Sequence, residues 1–440
     1  MLTKRPNKKR LITAAVTALC LSATAHAADT AAYLNQAYPS LEALFRDIHS
    51  HPELGFHETR TAALLAKELR AAGFQVTEKV GGTGIVGVYR NGPGPTVLVR
   101  TELDALPMEE KTGLPYASHV VADVDGQPTP VAHACGHDIH MAIWLGVART
   151  LVAQKAEWRG TLLFIGQPAE EKGAGARAML KDGLFERFGK PDYALALHVG
   201  SGVAGALSFK PGTTTSAVDE VQITFNGRGA HGSTPNRSID PIVIGSHFVS
   251  DVQTVISREK DPAAFGVVTV GAFQAGSVSN IIPDKAVLKL TLRSQDPAVR
   301  DLLLKGVERT ARGDAAIAGA PDPGITHLMG TGAGFNDPAV TQRVGDAEKA
   351  AFGATVTLLP ITAPPHPPSD DFSEFAAAGV PSLMFGLGGA DPAKVAESQA
   401  TGVPLPANHS PYFQVLPEPS IKAGADALVL AVKTLAPASP

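Results

Sequence analysis

His133-Ala134-Cys135-Gly136-His137-Asp138-Ile139-His140 gathers three imidazoles, a thiol and a carboxylate into eight residues. Gly136 makes the turn pliable, so the Cys135 sulfur and a His137 nitrogen can converge on one ion. Asp138 and His140 lead into an apolar run, Met141 to Leu151, that predicts a buried helix. Outward from this helix lie short apolar runs: Ile85 to Tyr89, Thr96 to Arg100, Thr161 to Gly166 and Tyr193 to Val199. Short strands alternating with helices predict a largely parallel sheet covered by helices. Upstream, Ser40 to Gly73 has helical spacing broken by His51-Pro52-Glu53-Leu54-Gly55.

From about Ser216 to Gly324 the rhythm changes. Strand Val218 to Phe225, helix Ile239 to Arg258, strands Gly266 to Phe273 and Ala286 to Arg293, helix Pro297 to Arg312 and a strand near Ile325 to Met329 predict an α+β insert, an antiparallel sheet with two helices on one face. A helix at Ala339 to Phe352, a strand at Val356 to Leu359 and a helix from Glu418 to Leu435 then resume the first pattern. The expected class is therefore α/β, with a large domain of residues 28–215 and 325–440 split by a domain of residues 216–324. Pro360 to Pro368 reads as a surface loop. Two Gly-x-Gly-x-x-Gly stretches, Gly82 to Gly87 and Gly200 to Gly205, read as turns, because strands rather than helices follow them.

With 440 residues, 44% hydrophobic and 18% charged, the chain can bury a large core. Lys4, Arg5, Lys8, Lys9 and Arg10 precede an apolar run to Ala25, and Ala25-His26-Ala27 has the form of a cleavage site. An exported, periplasmic or secreted protein cut after Ala27 is expected, with no stable membrane insertion afterwards. The cut removes five positive and no negative charges, taking the formal net charge from −4 to −9, which disfavours nucleic acid as a partner. It also removes Cys20 and leaves Cys135 as the only thiol, a risk in an oxidising compartment unless a metal holds it.

Acids and imidazoles fall at the carboxyl ends of the predicted strands, the edge where open α/β sheets bind ligands. Thr96 to Arg100 runs into Glu102 and Asp104, Thr161 to Gly166 into Glu170 and Glu171, and Tyr193 to Leu197 into His198, while His409 lies in a loop before the last helix. Paired Glu170 and Glu171 suit either a divided role, one ligand and one base, or two solvated acids at a helix start.

Arg100-Thr101-Glu102-Leu103-Asp104-Ala105-Leu106-Pro107, Lys111 to Ser118, His133 to Asp138, Gln167-Pro168-Ala169-Glu170-Glu171, Gly229-Ala230-His231-Gly232, Asn280-Ile281-Ile282-Pro283, Ser369-Asp370-Asp371-Phe372 and His409-Ser410-Pro411 resemble motifs of the two-metal aminoacylase and hippurate hydrolase family. Carboxypeptidases and plant indole-acetyl amino acid hydrolases share that family, and the resemblance spans about Leu41 to Leu435. It implies a catalytic domain with a lid and a homodimer formed through the lid. It implies Cys135, His137, Glu171, His198 and His409 as ligands to two divalent metal ions, and Glu170 as general base. Asp104 would orient a ligand imidazole, His231 would stabilise the oxyanion, and Asn280 and Arg293 would hold a substrate carboxylate. Glu102 and Asp370 depart from the family pattern, where Asp and Glu respectively are commoner, changing reach by one methylene each. The expected reaction is hydrolysis of the amide of N-acyl amino acids or short peptides. A thiolate with imidazoles favours zinc, with manganese, cobalt or nickel as alternatives. A cysteine hydrolase using Cys135 with His137, and an exported binding protein without catalysis, are the rival readings.

Overall fold

The computed structural model describes residues 30–365 and 369–438; the expected leader of residues 1–27 and the end of the Pro360 to Pro368 loop lie outside them. A large sheet of eight strands runs in the order Gln75–Val80, Gly84–Asn91, Gly160–Gln167, Thr96–Glu102, Tyr193–Val203, Ser382–Ala390, Leu207–Phe209 and Val356–Leu358. Its four central strands, Gly160–Gln167 to Ser382–Ala390, are parallel, and antiparallel pairs flank them. The alternation of a strand covered on both faces is plain. Val97 and Val99 enter the core built with the helix of residues 30–49 and helices Thr59–Ala71, His137–Ala153 and Pro417–Leu435, whereas Leu98 enters a second core with Met179, Phe372 and Phe375.

Within that first core, helix His137–Ala153 is buried almost all round; the Trp144 indole nitrogen donates to Val99 O at 3.0 Å. Its apolar run therefore lacks a polar stripe. It begins after Gly136, whose φ of +88° needs glycine, and a Cβ there would stand 2.4 Å from Val199.

A separate four-stranded antiparallel sheet, in the order Gly266–Ala275, Lys285–Ser294, Ala217–Asn226 and Gly324–Thr331, has its own core under helices Pro241–Asp251 and Pro297–Ile317. Asp240 and Asp296 cap these helices by accepting from backbone amides, each followed by proline in the first turn. The single helix expected over Ile239 to Arg258 is instead Pro241–Asp251 followed by a π-helical turn, Val255–Glu259, that lays Val255 against Gly306. The expectation of turns at both glycine motifs holds only in part. Gly82 and Gly205 turn, but Gly200 and Gly202 extend strand Tyr193–Val203 beside Ser382–Ala390, where a ladder satisfies their backbone groups. Strands do follow both motifs.

The first helix is fastened to the central one by charge. His49 bonds Asp138 Oδ2 through Nδ1 at 2.6 Å and Glu110 Oε1 through Nε2 at 3.1 Å. Burial opposes the imidazolium, but the bonds to Asp138 and Glu110 outweigh it and raise His49 to about 10. Its stabilisation is thus complete below the unfolded value of 6.5 and is lost as pH rises toward 10. His49→Gln should cost roughly 3 kcal/mol at the acidic end of that window, and the difference from the parent should shrink toward its alkaline end. Urea unfolding across the window measures this; a pH-independent difference would contradict the paired imidazolium.

Candidate active site

The strand ends deliver the predicted residues to one place. Strand Thr96–Glu102 carries the chain to Asp104, Gly160–Gln167 to Glu170 and Glu171, Tyr193–Val203 holds His198, and helix His137–Ala153 opens with His137 after Cys135. The two glutamates leave their strand through Ala169, at φ +48°, and their amides donate to the Asp104 carboxylate at 3.0 Å each. Asp104 also accepts from His137 Nδ1 at 2.7 Å, through its main-chain oxygen rather than its carboxylate. The ring's Nε2 therefore points into the site, 3.7 Å from Glu170 Oε2 and 3.9 Å from Glu171 Oε1.

Around it, Cys135 Sγ lies 3.5 Å from His198 Nε2, and His409 Nε2 lies 3.3 Å from Glu171 Oε2. Ligand atoms of Cys135, His137 and His198, of Cys135, Glu171 and His409, and of His137, Glu170 and Glu171 each fall within 4.8 Å of one another. Cys135, His137, Glu170, Glu171, His198 and His409 thus form one cluster. The lid residues stand apart from it. His231 is exposed, hydrogen bonds to Ser233 Oγ and sits beside exposed Asn280 through the Gly232 amide, which donates to Asn280 O at 2.8 Å. Arg293 is half-buried on the lid sheet. Among the described residues none of the three touches the cluster through a hydrogen bond or ion pair.

The two departures noted in the sequence meet on one side chain, Arg100, whose side chain has no exposed surface. Its Nη1 donates to Glu102 Oε1 and to Asp370 Oδ2, the latter at 3.2 Å, and its Nη2 donates to Asp370 Oδ1 at 2.9 Å and Asp371 Oδ1 at 3.1 Å. Its Nε donates to Gln167 at 3.0 Å. Glu102 uses its other oxygen on His140 Nδ1 at 3.0 Å. Arg100, His140 and Asp371 were not singled out as site residues by sequence reasoning. Arg100 opens a quoted motif, but nothing local shows that its partners come from 270 residues away.

Electrically the site is rich in carboxylates. Glu102, Asp104, Glu170, Asp370 and Asp371 are buried and Glu171 nearly so, and Arg100 pairs with Glu102, Asp370 and Asp371. Burial, then the carboxylates of Asp370, Glu171 and Asp371, push Glu170 well up; burial, then Glu171 and Glu170, push the Cys135 thiol up. Burial holds His198 down to about 4, a neutral imidazole. The buried His137 Nε2 and Glu171 Oε1 have no hydrogen-bond partner. A thiol, three imidazoles and a carboxylate, with orphaned donor atoms on His137 and Glu171 and with Glu170 pushed up beside them, fit divalent cations.

The sequence model of Peptidase family M20/M25/M40 matches residues 98–434. The chain belongs to this family. It is 39% identical over 276 residues to a hippurate hydrolase of Campylobacter jejuni, covering 62% of this chain and 69% of the relative. It is 34% identical over 394 residues to thermostable carboxypeptidase 1 of Saccharolobus solfataricus, covering 88% and 93%. Among solved structures, a putative aminohydrolase from methicillin-resistant Staphylococcus aureus superposes with a TM-score of 0.80 at 30% identity, over 92% of this chain and 98% of that one. A dinuclear metal-binding M20 peptidase of Bacillus subtilis superposes with 0.71 at 27% identity, over 91% and 99%. The protein is accordingly an M20 metallohydrolase of amide bonds with the catalytic-plus-lid fold.

In this M20 site the Cys135–His137 dyad of the rival cysteine hydrolase is not formed: His137 Nε2 has no partner, and the thiol is pushed away from the thiolate a nucleophile needs. Glu102 and Asp370 share Arg100 Nη1, so their lengths are matched to one gap. Glu102→Asp and Asp370→Glu alone should each destabilise the fold by about 1–3 kcal/mol, and the double variant should regain at least half of the summed loss. Denaturant unfolding of all four proteins reads the coupling; strict additivity would deny it.

Proposed function

We propose that this M20 enzyme hydrolyses the amide joining an acyl group to an amino acid with a free carboxylate, in N-acyl amino acids or short peptides. The observation that carries the reading is Glu170, a glutamate beside the donor cluster whose neighbour Glu171 already faces His409. Relatives carrying the names hippurate hydrolase, N-acetyl-L-cysteine deacetylase and carboxypeptidase support it.

Cys135, His137, Glu171, His198 and His409 would hold two divalent cations, zinc favoured by the thiolate and imidazoles. When bound, such ions polarise a carbonyl and lower the pKa of water toward about 7. Glu170 accepts the proton of the attacking water and returns it to the leaving amine. His231 meets the charge that builds on the carbonyl oxygen. Asn280 and Arg293 bind the carboxylate; the buried Arg293 Nη1 lacks a partner here and would gain one.

His231 and Asn280 lie away from the cluster within one chain, which supports a homodimer whose lids meet. Exposed Ile242, Val243, Phe273, Val278 and Ile281 supply an apolar surface for it. We read residues 1–27 as an export leader on their sequence; no helix of the described residues is long and apolar enough to cross a membrane.

Glu170→Gln should keep its metal content and lose turnover about 100- to 10,000-fold in hydrolysis of N-acyl amino acids. A near-parental rate would remove Glu170 as the base. Chelation should abolish activity and metal restore it, with thiol alkylation of the chelated protein blocking the return. Arg293→Ala should raise KM about tenfold or more for substrates with a free carboxylate and leave their amides unchanged; equal effects on both series would sink its role.

A further inference from the structure

Asn408 precedes His409 in the loop before the last helix, and its side-chain nitrogen bonds two distant main-chain oxygens. It donates to Cys135 O at 2.9 Å and to Val199 O at 3.0 Å. One carbonyl is that of Cys135 itself; the other follows His198. Because both partners are carbonyls, the NH₂ end must face them, and both of its hydrogens are used.

Val199 is the junction. Its oxygen also accepts from His198 Nδ1 at 2.9 Å, which leaves the lone pair of His198 on Nε2, the nitrogen beside Cys135 Sγ. Its amide donates to His140 Nε2 at 2.9 Å. A backbone amide can only donate, so His140 Nε2 is bare and its hydrogen sits on Nδ1, which donates to Glu102 at 3.0 Å. His140 lies among possible ligands, yet both its nitrogens are spoken for.

His409 adopts φ +67°, a left-handed backbone that side chains other than glycine rarely take, and its amide donates to Ala134 O at 2.8 Å. The loop is thus held to Ala134 and Cys135 by consecutive residues, one of them strained.

We propose that Asn408 is a positioning residue of the metal site: its amide joins the segments bearing Cys135, His198 and His409, and His140 holds the same Val199 peptide from its other side. The inference rests on Cys135, His198 and His409 being ligands. Asn408→Asp is nearly isosteric but sets a carboxylate against two carbonyl oxygens; Asn408→Ala removes the donors without adding charge and serves if the first variant does not fold.

The full chain, stripped of metal, is titrated with zinc or cobalt(II) in competition with a chromogenic chelator, for the parent and both variants. The parent should bind two ions per chain, and at least one should bind about 10- to 100-fold more weakly in the variants. The thiolate-to-cobalt absorption of Cys135 should shift or fade, a signal that lost stability alone would not move. Two ions of unchanged affinity and spectrum in the variants would overturn the role of Asn408 and leave the ligand reading standing. A parent that binds no ion would overturn the ligand reading, and this inference with it.

Discussion

A guanidinium with no exposed surface costs several kcal/mol unless anions meet it, and the structure is arranged around meeting the one of Arg100. Glu102 comes from the same strand, but Asp370 and Asp371 come from beyond the inserted domain. Their pairing therefore closes the two parts of the large domain on each other across the insert. The same carboxylates continue into the site: Glu102 reaches His140, and Asp370 and Asp371 lie beside Glu170.

That connection explains why acids concentrate where they do. Parallel strands deliver their carboxyl ends to one edge, so residues a few positions beyond each apolar run become neighbours whatever their separation in the chain. The cost is a group of buried carboxylates: burial first and neighbouring acids after it raise Glu170 and bring Asp371 up to about 7. Divalent cations would offset the repulsion among them, so the same acids favour binding such ions. The lid has a core of its own and so owes this centre little of its stability.

Much was legible in the residues alone. The alternation of Val97, Leu98 and Val99 between two cores is written in a run of apolar residues, and the helix expected from Pro297 starts there. Cys135 and His137 stand out because a thiol and imidazoles crowd one turn, and Glu171 and His198 because each follows the apolar run of a strand. Arg100, His140 and Asn408 do not stand out, since an arginine, a histidine beside two others and an asparagine in a loop have many uses. The break of the lid helix at the π turn escaped periodicity because Val255 keeps its apolar phase while the backbone changes beneath it.

The sequence by itself determined the α/β rhythm, the presence of an insert and the chemical types available for a metal centre, since hydrophobic spacing and side-chain chemistry are local properties, but it left out strands Gln75–Val80 and Ser382–Ala390 and helix Pro392–Thr401. Only the tertiary structure decided which oxygen of Asp104 holds His137, that Glu102 and Asp370 share one guanidinium, and that Asn408 ties Cys135 to Val199. Such choices depend on distances between segments far apart in the chain, and hydrogen bonds, which fail beyond a few tenths of an ångström, exist only once packing has set those distances.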